Sequence, residues 1–293
     1  MIVDNFLQYL LVEKRYSINT IDAYRNDLMQ FVKYSEIQYN LNNINEANHL
    51  IIRSWLASLI EKGEYATTVK RKISSLKTFF KYLLKNKMID INPMVKIISP
   101  KAPKRLTSFL EQEATYNLFE NVHFADDFFG VRDLMILELF YVTGMRVSEL
   151  CNIKDRDIDF DALNIKLLGK RNKERIVPLS KRMVDILQNY RNIRNMNFDN
   201  NNEYLVVNKK GENVNRTDVY KIVRKYLTLI TTLKKKSPHV LRHTFATHML
   251  NNGSDINAIK EILGHTSLAA TQIYTHNTIE NLKKVYKKAH PKA

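Results

Sequence analysis

The chain has one cysteine, Cys151, among 293 residues. No internal disulfide can form, and a reducing, cytoplasmic compartment is the expected setting. Acidic residues are also scarce: 30 Asp and Glu stand against 46 Lys and Arg, a formal net charge of +16. Nucleic acid is the default partner for so basic a chain, with a merely solvated basic surface as the alternative. There is no long uninterrupted apolar span and no charged-then-apolar leader, so neither export nor a membrane partner is expected. Several chemistries lack their residues. The only Gly-Lys pair, Gly169-Lys170, has Asn164 five residues before Gly169 and Arg171 after Lys170, which is no phosphate loop for ATP. His239 and His243 stand four apart, but Val240 sits where a zinc protease needs its glutamate, so His243 and His248 read as packed or hydrogen-bonded helix residues. No carboxylate cluster suggests a two-metal nuclease. Phosphoryl transfer by cations and a protein nucleophile, without metal or other cofactor, remains.

The N-terminal part shows helical periodicity and no strand signal. Ile21, Tyr24, Leu28 and Phe31 form one apolar stripe, and Leu50, Trp55, Leu56 and Leu59 another. At an offset of 48, Thr20, Leu28, Phe31, Lys33 and Tyr34 fall on Thr68, Leu76, Phe79, Lys81 and Tyr82, an echo that either a repeated hairpin or helix periodicity alone produces. From Thr67 to about Asn86, Val69, Ile73, Leu76, Phe80 and Leu83 face a core, while Lys70, Lys77, Lys81 and Lys85 line another side. From Lys70 to Arg105 there are eleven Lys or Arg against one acid, Asp90. A solvated face would intersperse acids, so this helix and the segment after it, including Lys101 and Lys104, read as a phosphate-tracking surface. Residues 91–105 hold Pro93, Pro100 and Pro103 among cations and read as an extended basic linker. The expected domains are 1–104 and 105–293.

In the C-terminal part, an apolar helix from Val131 to Val142 ends at Thr143-Gly144, and Arg146 follows beside Val147 and Leu150. Pairing with a carboxylate such as Glu149 is the structural alternative to a functional Arg146. Leu163–Leu168 and Arg175–Leu179 read as a hairpin with a cationic tip carrying Lys170, and Ile158 and Phe160 add a third strand. Asp155, Asp157, Asp159 and Asp161 alternate like a calcium loop, but Phe160 replaces the required glycine, so they read as a solvent-facing strand edge. Helices are expected over Ser180–Ile193, Thr217–Leu229 and Thr278–Lys288, the last packing on its own domain or on a neighbouring copy.

The densest stretch runs from Ser237 to His276. Ser237-Pro238 reads as a capped helix start, and Leu241, Phe245 and Met249 mark a buried stripe. His239 and Arg242 are left at the N-terminal end, where free N–H groups and the dipole favour an anion such as phosphate. Asn251-Asn252-Gly253 stops that helix, and a second from about Asp255 to Leu263 stops at Gly264, with His265 next and Tyr274 nine residues later, on a small helix that Ser267 caps.

Together, Thr143-Gly-Met-Arg-Val-Ser-Glu-Leu150, Leu168-Gly-Lys-Arg-Asn-Lys-Glu-Arg175, His239-Val-Leu-Arg-His-Thr-Phe-Ala-Thr-His248 and Leu263-Gly-His-Thr-Ser with Tyr274-Thr-His276 resemble, in order and spacing, the active-site motifs of tyrosine recombinases. Within that family the chain looks most like the Xer recombinases, down to a His290-to-Ala293 tail. The resemblance implies a mainly α, two-domain fold: an all-α, SAM-like core-binding clamp, then an α-rich catalytic domain with a small antiparallel β-sheet. It implies that Arg146, Lys170, His239, Arg242 and His265 surround one phosphate that Tyr274 attacks, giving a 3′-phosphotyrosyl intermediate. Implied partners are a double-stranded DNA recombination site, further protomers in a homo- or hetero-tetramer with a second recombinase, and a division-associated DNA translocase. Arg171 departs from the second glycine usual after the hairpin lysine. Xer-type resolution of chromosome dimers, favoured by the lack of an extra arm-binding domain, stays open beside a mobile-element integrase with the same chemistry and a silent DNA-binding regulator. All six positions being filled argues against the regulator, and a type IB topoisomerase would share the phosphotyrosine.

Overall fold

A computed structural model describes residues 2–100, 108–169, 173–198, 202–264 and 285–292. Lys101, Lys104, Lys170, Arg171, His265, Ser267 and Tyr274 lie outside the described residues, as do residues 278–284 of the expected last helix. The chain divides into two compact units, Met1–Arg105 and Leu106–Ala293.

The first unit is helical: α1 (Ile2–Val12), α2 (Ile18–Tyr39), α3 (His49–Glu61) and α4 (Ala66–Lys85), with a 3-10 turn at Pro93–Lys96. Helices α2 and α4 begin 48 residues apart, matching the sequence echo, and they pack on each other. Asn40 ends α2 in the left-handed region at φ 51°, and the Asn48 side chain caps α3 by accepting from the Leu50 and Ile51 amides. The α4 stripe Val69, Ile73, Leu76, Phe80 and Leu83 is buried as its spacing predicts. Leu50 is not: it sits in the first turn of α3, 60 % exposed, and the buried stripe there is Ile51, Ile52, Trp55, Leu56 and Leu59. Phe6 packs edge-on to Phe79 at 5.2 Å, and Phe31 lies 5.1 Å from Trp55.

A charge sits inside this apolar unit. Asp27 of α2 is fully buried and is met by three side chains of α4: Arg71, Lys72 at 3.3 Å and the Ser75 hydroxyl at 2.7 Å. Lys72 also donates to Gln30 and lies over the Trp55 ring, 5.9 Å from its centroid. Of the basic residues of α4, Lys72 is therefore spent internally, while Lys70, Lys77, Lys81 and Lys85 are exposed along the helix.

In the second unit, α6 (Phe128–Thr143) is buried at nearly every position and packs against both α8 (Lys181–Asn197) and α10 (Pro238–Asn251). Asp127 caps it by accepting from the Gly130 amide at 2.8 Å. Gly130 is required there, because a Cβ would lie 2.0 Å from the Ala125 carbonyl oxygen. Short helix α5 (Gln112–Tyr116) precedes it, α7 (Val147–Leu150), α9 (Arg216–Ile230) and α11 (Ile256–Leu263) follow, and residues 285–289 are helical, within the expected last helix and one residue past its end. The sheet is three antiparallel strands in the order β1 (Ile158–Asp159), β2 (Asn164–Leu168), β3 (Glu174–Pro178). Its inward face carries Ile165, Leu167 and Val177, and also Arg175, which pairs across from Leu167.

Three expectations change. Phe160 lies beyond β1 and does not extend it. Of the alternating acids only Asp159 lies on a strand edge, exposed on β1, where it also accepts from the Ala162 amide; Asp155 pairs with Arg194 at 2.6 Å and Asp157 accepts from the Lys154 amide. Short acidic side chains satisfy local backbone donors more readily than they extend a sheet. Finally, α8 runs to Asn197, past the expected Ile193, because Arg194 continues the buried face by reaching Asp155 and the Leu205 carbonyl.

The described tail packs on its own unit. His290 is buried, with Nε2 3.2 Å from the Tyr141 carbonyl oxygen, and its ring stacks on Tyr286 at 4.8 Å. Lys292 donates to Glu138, and Asn252 donates to the Ala289 carbonyl at 2.8 Å.

Replacing Asp27 with Ala leaves Lys72 buried without its carboxylate, and should cost about 3–5 kcal/mol. Urea unfolding followed by the fluorescence of Trp55, the chain's one tryptophan, reads this unit alone; a loss under about 1 kcal/mol would show that the pair is not what closes α2 on α4.

Candidate active site

The site forms where α6 stops. Gly144 takes the left-handed conformation (φ 58°), and a Cβ there would lie 2.6 Å from both Phe245 and Leu263, so α10 and α11 press directly on the turn. The chain then starts α7 with Arg146 at its N-cap. Glu149 reaches back to accept from the Arg146 amide at 2.7 Å and from the Arg146 guanidinium at 2.8 Å. The carboxylate alternative raised for Arg146 is thus realised, and it defines the site.

Glu149 is buried, and Arg175 forks onto it from β3, at 2.8 and 2.7 Å to its two oxygens. From α10, Arg242 donates to the Gly144 carbonyl and, at 2.8 Å, to the Leu263 carbonyl. Helix α11 ends at Gly264 (φ 63°), and its last carbonyls face this cluster. Arg175 Nε lies 2.6 Å from Ile262 O, Arg242 takes Leu263 O, and Arg146 lies 3.3 Å from Gly264 O. Three consecutive carbonyls at the negative end of a helix therefore receive three guanidiniums. With one carboxylate among them, two positive charges remain uncompensated by side chains among the described residues. Arg175 is 4 % exposed at its side chain, whereas Arg146 is 33 % exposed and reaches solvent.

These charges shift one another. Burial, then the nearby Arg146 charge, push Arg242 down to about 10, so it stays protonated at neutral pH. Burial alone would raise the Glu149 carboxyl, but the hydrogen bonds and charge of Arg175, then those of Arg146, hold it below the ordinary 4.5. His239 lies one turn before Arg242 on α10 and is exposed. Burial of part of its ring, then the charges of Lys235, His243, Arg242 and Arg146, lower it below the ordinary 6.5. It is therefore mainly neutral at pH 7 and able to accept a proton.

The structure thus brings Arg146, His239 and Arg242 into one electrostatic neighbourhood. Lys170, His265 and Tyr274 lie outside the described residues; in the chain, Lys170 follows Gly169, and His265 follows Gly264. Sequence reasoning missed Arg175, although strand alternation put it on the inward face beside Val177. Ser237 does not cap α10: its buried hydroxyl finds no partner among the described residues. His248 is buried and hydrogen-bonded, 3.0 Å from the Tyr141 hydroxyl and 2.9 Å from Leu110 O, while His243 is exposed and is not packed as expected. Cys151 is buried, its thiol pushed up to about 11 by burial.

Residues 108–281 match the phage integrase family and residues 3–87 its N-terminal SAM-like domain. The chain belongs to the phage integrase family. It is 38 % identical to the tyrosine recombinase XerC of Pelotomaculum thermopropionicum, over 99 % of this chain and 98 % of that one. It is 39 % identical to XerC of Thermodesulfovibrio yellowstonii, over 99 % and 96 %. Among solved structures, the XerH site-specific recombinase bound to palindromic difH substrate, a post-cleavage complex, shares the fold with a TM-score of 0.74 at 24 % identity, over 92 % of this chain and 80 % of that one. The helical, two-part fold with a small antiparallel sheet that the sequence implied is that of this family.

Because Glu149 is held below 4.5, its pairing contributes stability at every pH above that value and is lost as acid protonates it. Between pH 6 and pH 3, the wild-type chain should lose more unfolding free energy than Glu149→Gln; parallel pH profiles would show that the carboxylate is not ionised in the frame.

Proposed function

We propose that this chain is a site-specific tyrosine recombinase, cutting and rejoining duplex DNA through a 3′-phosphotyrosyl intermediate in Xer-type resolution of chromosome dimers. The observation that carries the reading is the pair Arg146 and Arg242, held on the α11 carbonyls with His239 beside them. Two guanidiniums fixed by backbone oxygens cannot collapse onto each other's counter-ions, and they keep N–H groups for an incoming phosphate. On a scissile phosphate they would bind the non-bridging oxygens and stabilise the added charge of the pentacoordinate transition state.

Tyr274 supplies the nucleophile in this reading. Its ordinary pKa near 10 leaves little phenolate at pH 7, so a neutral His239, with His265, handles the phenolic proton. The tyrosine oxygen bonds to phosphorus, the bond to the 5′ oxygen breaks, and Lys170 gives that oxygen its proton. The phosphotyrosyl ester keeps the bond, so a 5′ hydroxyl from a second duplex reverses the step with no ATP or metal. Exposed Lys70, Lys77, Lys81 and Lys85 on α4, and Lys101 and Lys104 after it, track DNA phosphates. The working assembly is a tetramer, of one recombinase or of two, on paired sites in the cytoplasm, with a division-associated translocase as activator. The near full-length XerC relatives support this housekeeping role over that of a mobile-element integrase.

Purified protein and nicked duplexes carrying the host's recombination site test the reading. Arg242→Ala should slow cleavage by about 10²–10³-fold with binding largely intact; full activity would break the proposed clamp. Lys81→Ala should keep cleavage at saturation while weakening binding and reducing its salt slope by about one; an unchanged slope would remove α4 from the interface.

A further inference from the structure

We propose that Arg175 is a positioning residue for the phosphate clamp: by occupying both oxygens of Glu149 and the end of α11, it leaves Arg146 free to serve the scissile phosphate. This rests on the recombinase reading above and adds a residue to it. Glu149 is a buried carboxylate between two guanidiniums, and a buried carboxylate takes as many charged donors as geometry allows. Arg175 engages both oxygens and is itself almost wholly buried, so it has no surface to offer a substrate. Arg146 makes one side-chain contact to Glu149 and a longer one to Gly264 O, and a third of its side chain faces solvent. The division of labour follows from the register: β3 places Arg175 on the inward face, opposite Leu167, where an apolar residue would otherwise stand.

Arg175 also fixes where the clamp sits. Its Nε holds Ile262 O, the carbonyl before the one that takes Arg242, and its side chain lines Gly264, where a Cβ would lie 3.2 Å from Arg175 Cδ. Without Arg175, two changes act together. Arg146 becomes the sole cation on Glu149 and is drawn inward, and the site loses one of its two uncompensated positive charges. Both changes weaken stabilisation of the transition state while leaving the DNA-binding faces of the protein as they were.

The test is single-turnover cleavage by the full chain on two suicide duplexes, one with the natural scissile phosphodiester and one with a methylphosphonate there, whose reacting group carries one negative charge fewer. Arg175→Gln should bind both duplexes as wild type does. It should cleave the phosphodiester about 10²-fold more slowly and the methylphosphonate with less than about a tenfold loss, since less cationic charge is needed there. An equal loss on both substrates would mean a structural role only, and no loss on the phosphodiester would remove Arg175 from the clamp; either overturns the proposal. Should Arg175→Gln not fold, Arg175→Lys, which keeps the charge but cannot occupy both Glu149 oxygens and Ile262 O together, should lose at least about threefold more rate on the phosphodiester than on the methylphosphonate, and equal losses in that folded variant would overturn it. If wild type itself forms no covalent product on the natural duplex, the recombinase reading has failed, and with it this one.

Discussion

The Glu149 carboxylate is the constraint on which the catalytic unit depends. Three arginines drawn to one place repel one another, and two of them are largely withdrawn from water. They are held together by one buried carboxylate and by the three carbonyls that α11 leaves unpaired at its end. Each partner needs the others. The carboxylate would be costly to bury alone, the carbonyls would lack donors, and the guanidiniums would disperse into solvent. Glycine conformations at the ends of α6 and α11 make the meeting possible, because both turns bring backbone oxygens close to side chains that a Cβ would displace.

The N-terminal unit solves a related problem with a different outcome. Asp27 there collects Arg71, Lys72 and Ser75 and locks α2 to α4. It turns one cation of a basic helix inward and leaves the exposed lysines unpaired by it. In the catalytic unit Glu149 likewise holds two cations, but a third guanidinium sits beside them and Arg146 reaches solvent. The same interaction type thus closes a core in one unit and leaves a charged, hydrogen-bonding surface in the other. What differs is the third cation: Arg242 joins the catalytic cluster through backbone carbonyls and not through the carboxylate.

Much of this was legible in the sequence. Helix α4 is read correctly from its spacing because both faces are extreme, apolar on one side and lysine on the other. The helix ends at Gly144 and Gly264 are legible because glycine is the residue most often found in left-handed caps. The motifs around Arg146, His239 and Arg242 point to one phosphate because their types and order resemble a known family. Other features resist a linear reading. Leu50 fits a periodic stripe but falls in a first turn, where the helix has not yet packed. Among the alternating acids only Asp159 is on a strand edge, while Asp155 and Asp157 bind Arg194 and a local amide. Arg175 is the instructive miss: an arginine in a hairpin of cations looks solvated, and only the strand register, together with a carboxylate from another element, reveals that it is buried. Partners far apart in sequence cannot be paired by periodicity alone.

The central claim is that this cation frame presents a phosphate to Tyr274. The most direct measurement is to trap the covalent complex on a nicked duplex of the host's recombination site, digest the protein and map the attached nucleotide by mass. The account predicts a single adduct on the peptide holding Tyr274, joined through the 3′ phosphate and absent from Tyr274→Phe. An adduct on another of the fifteen tyrosines, or one joined through a 5′ phosphate, would contradict it.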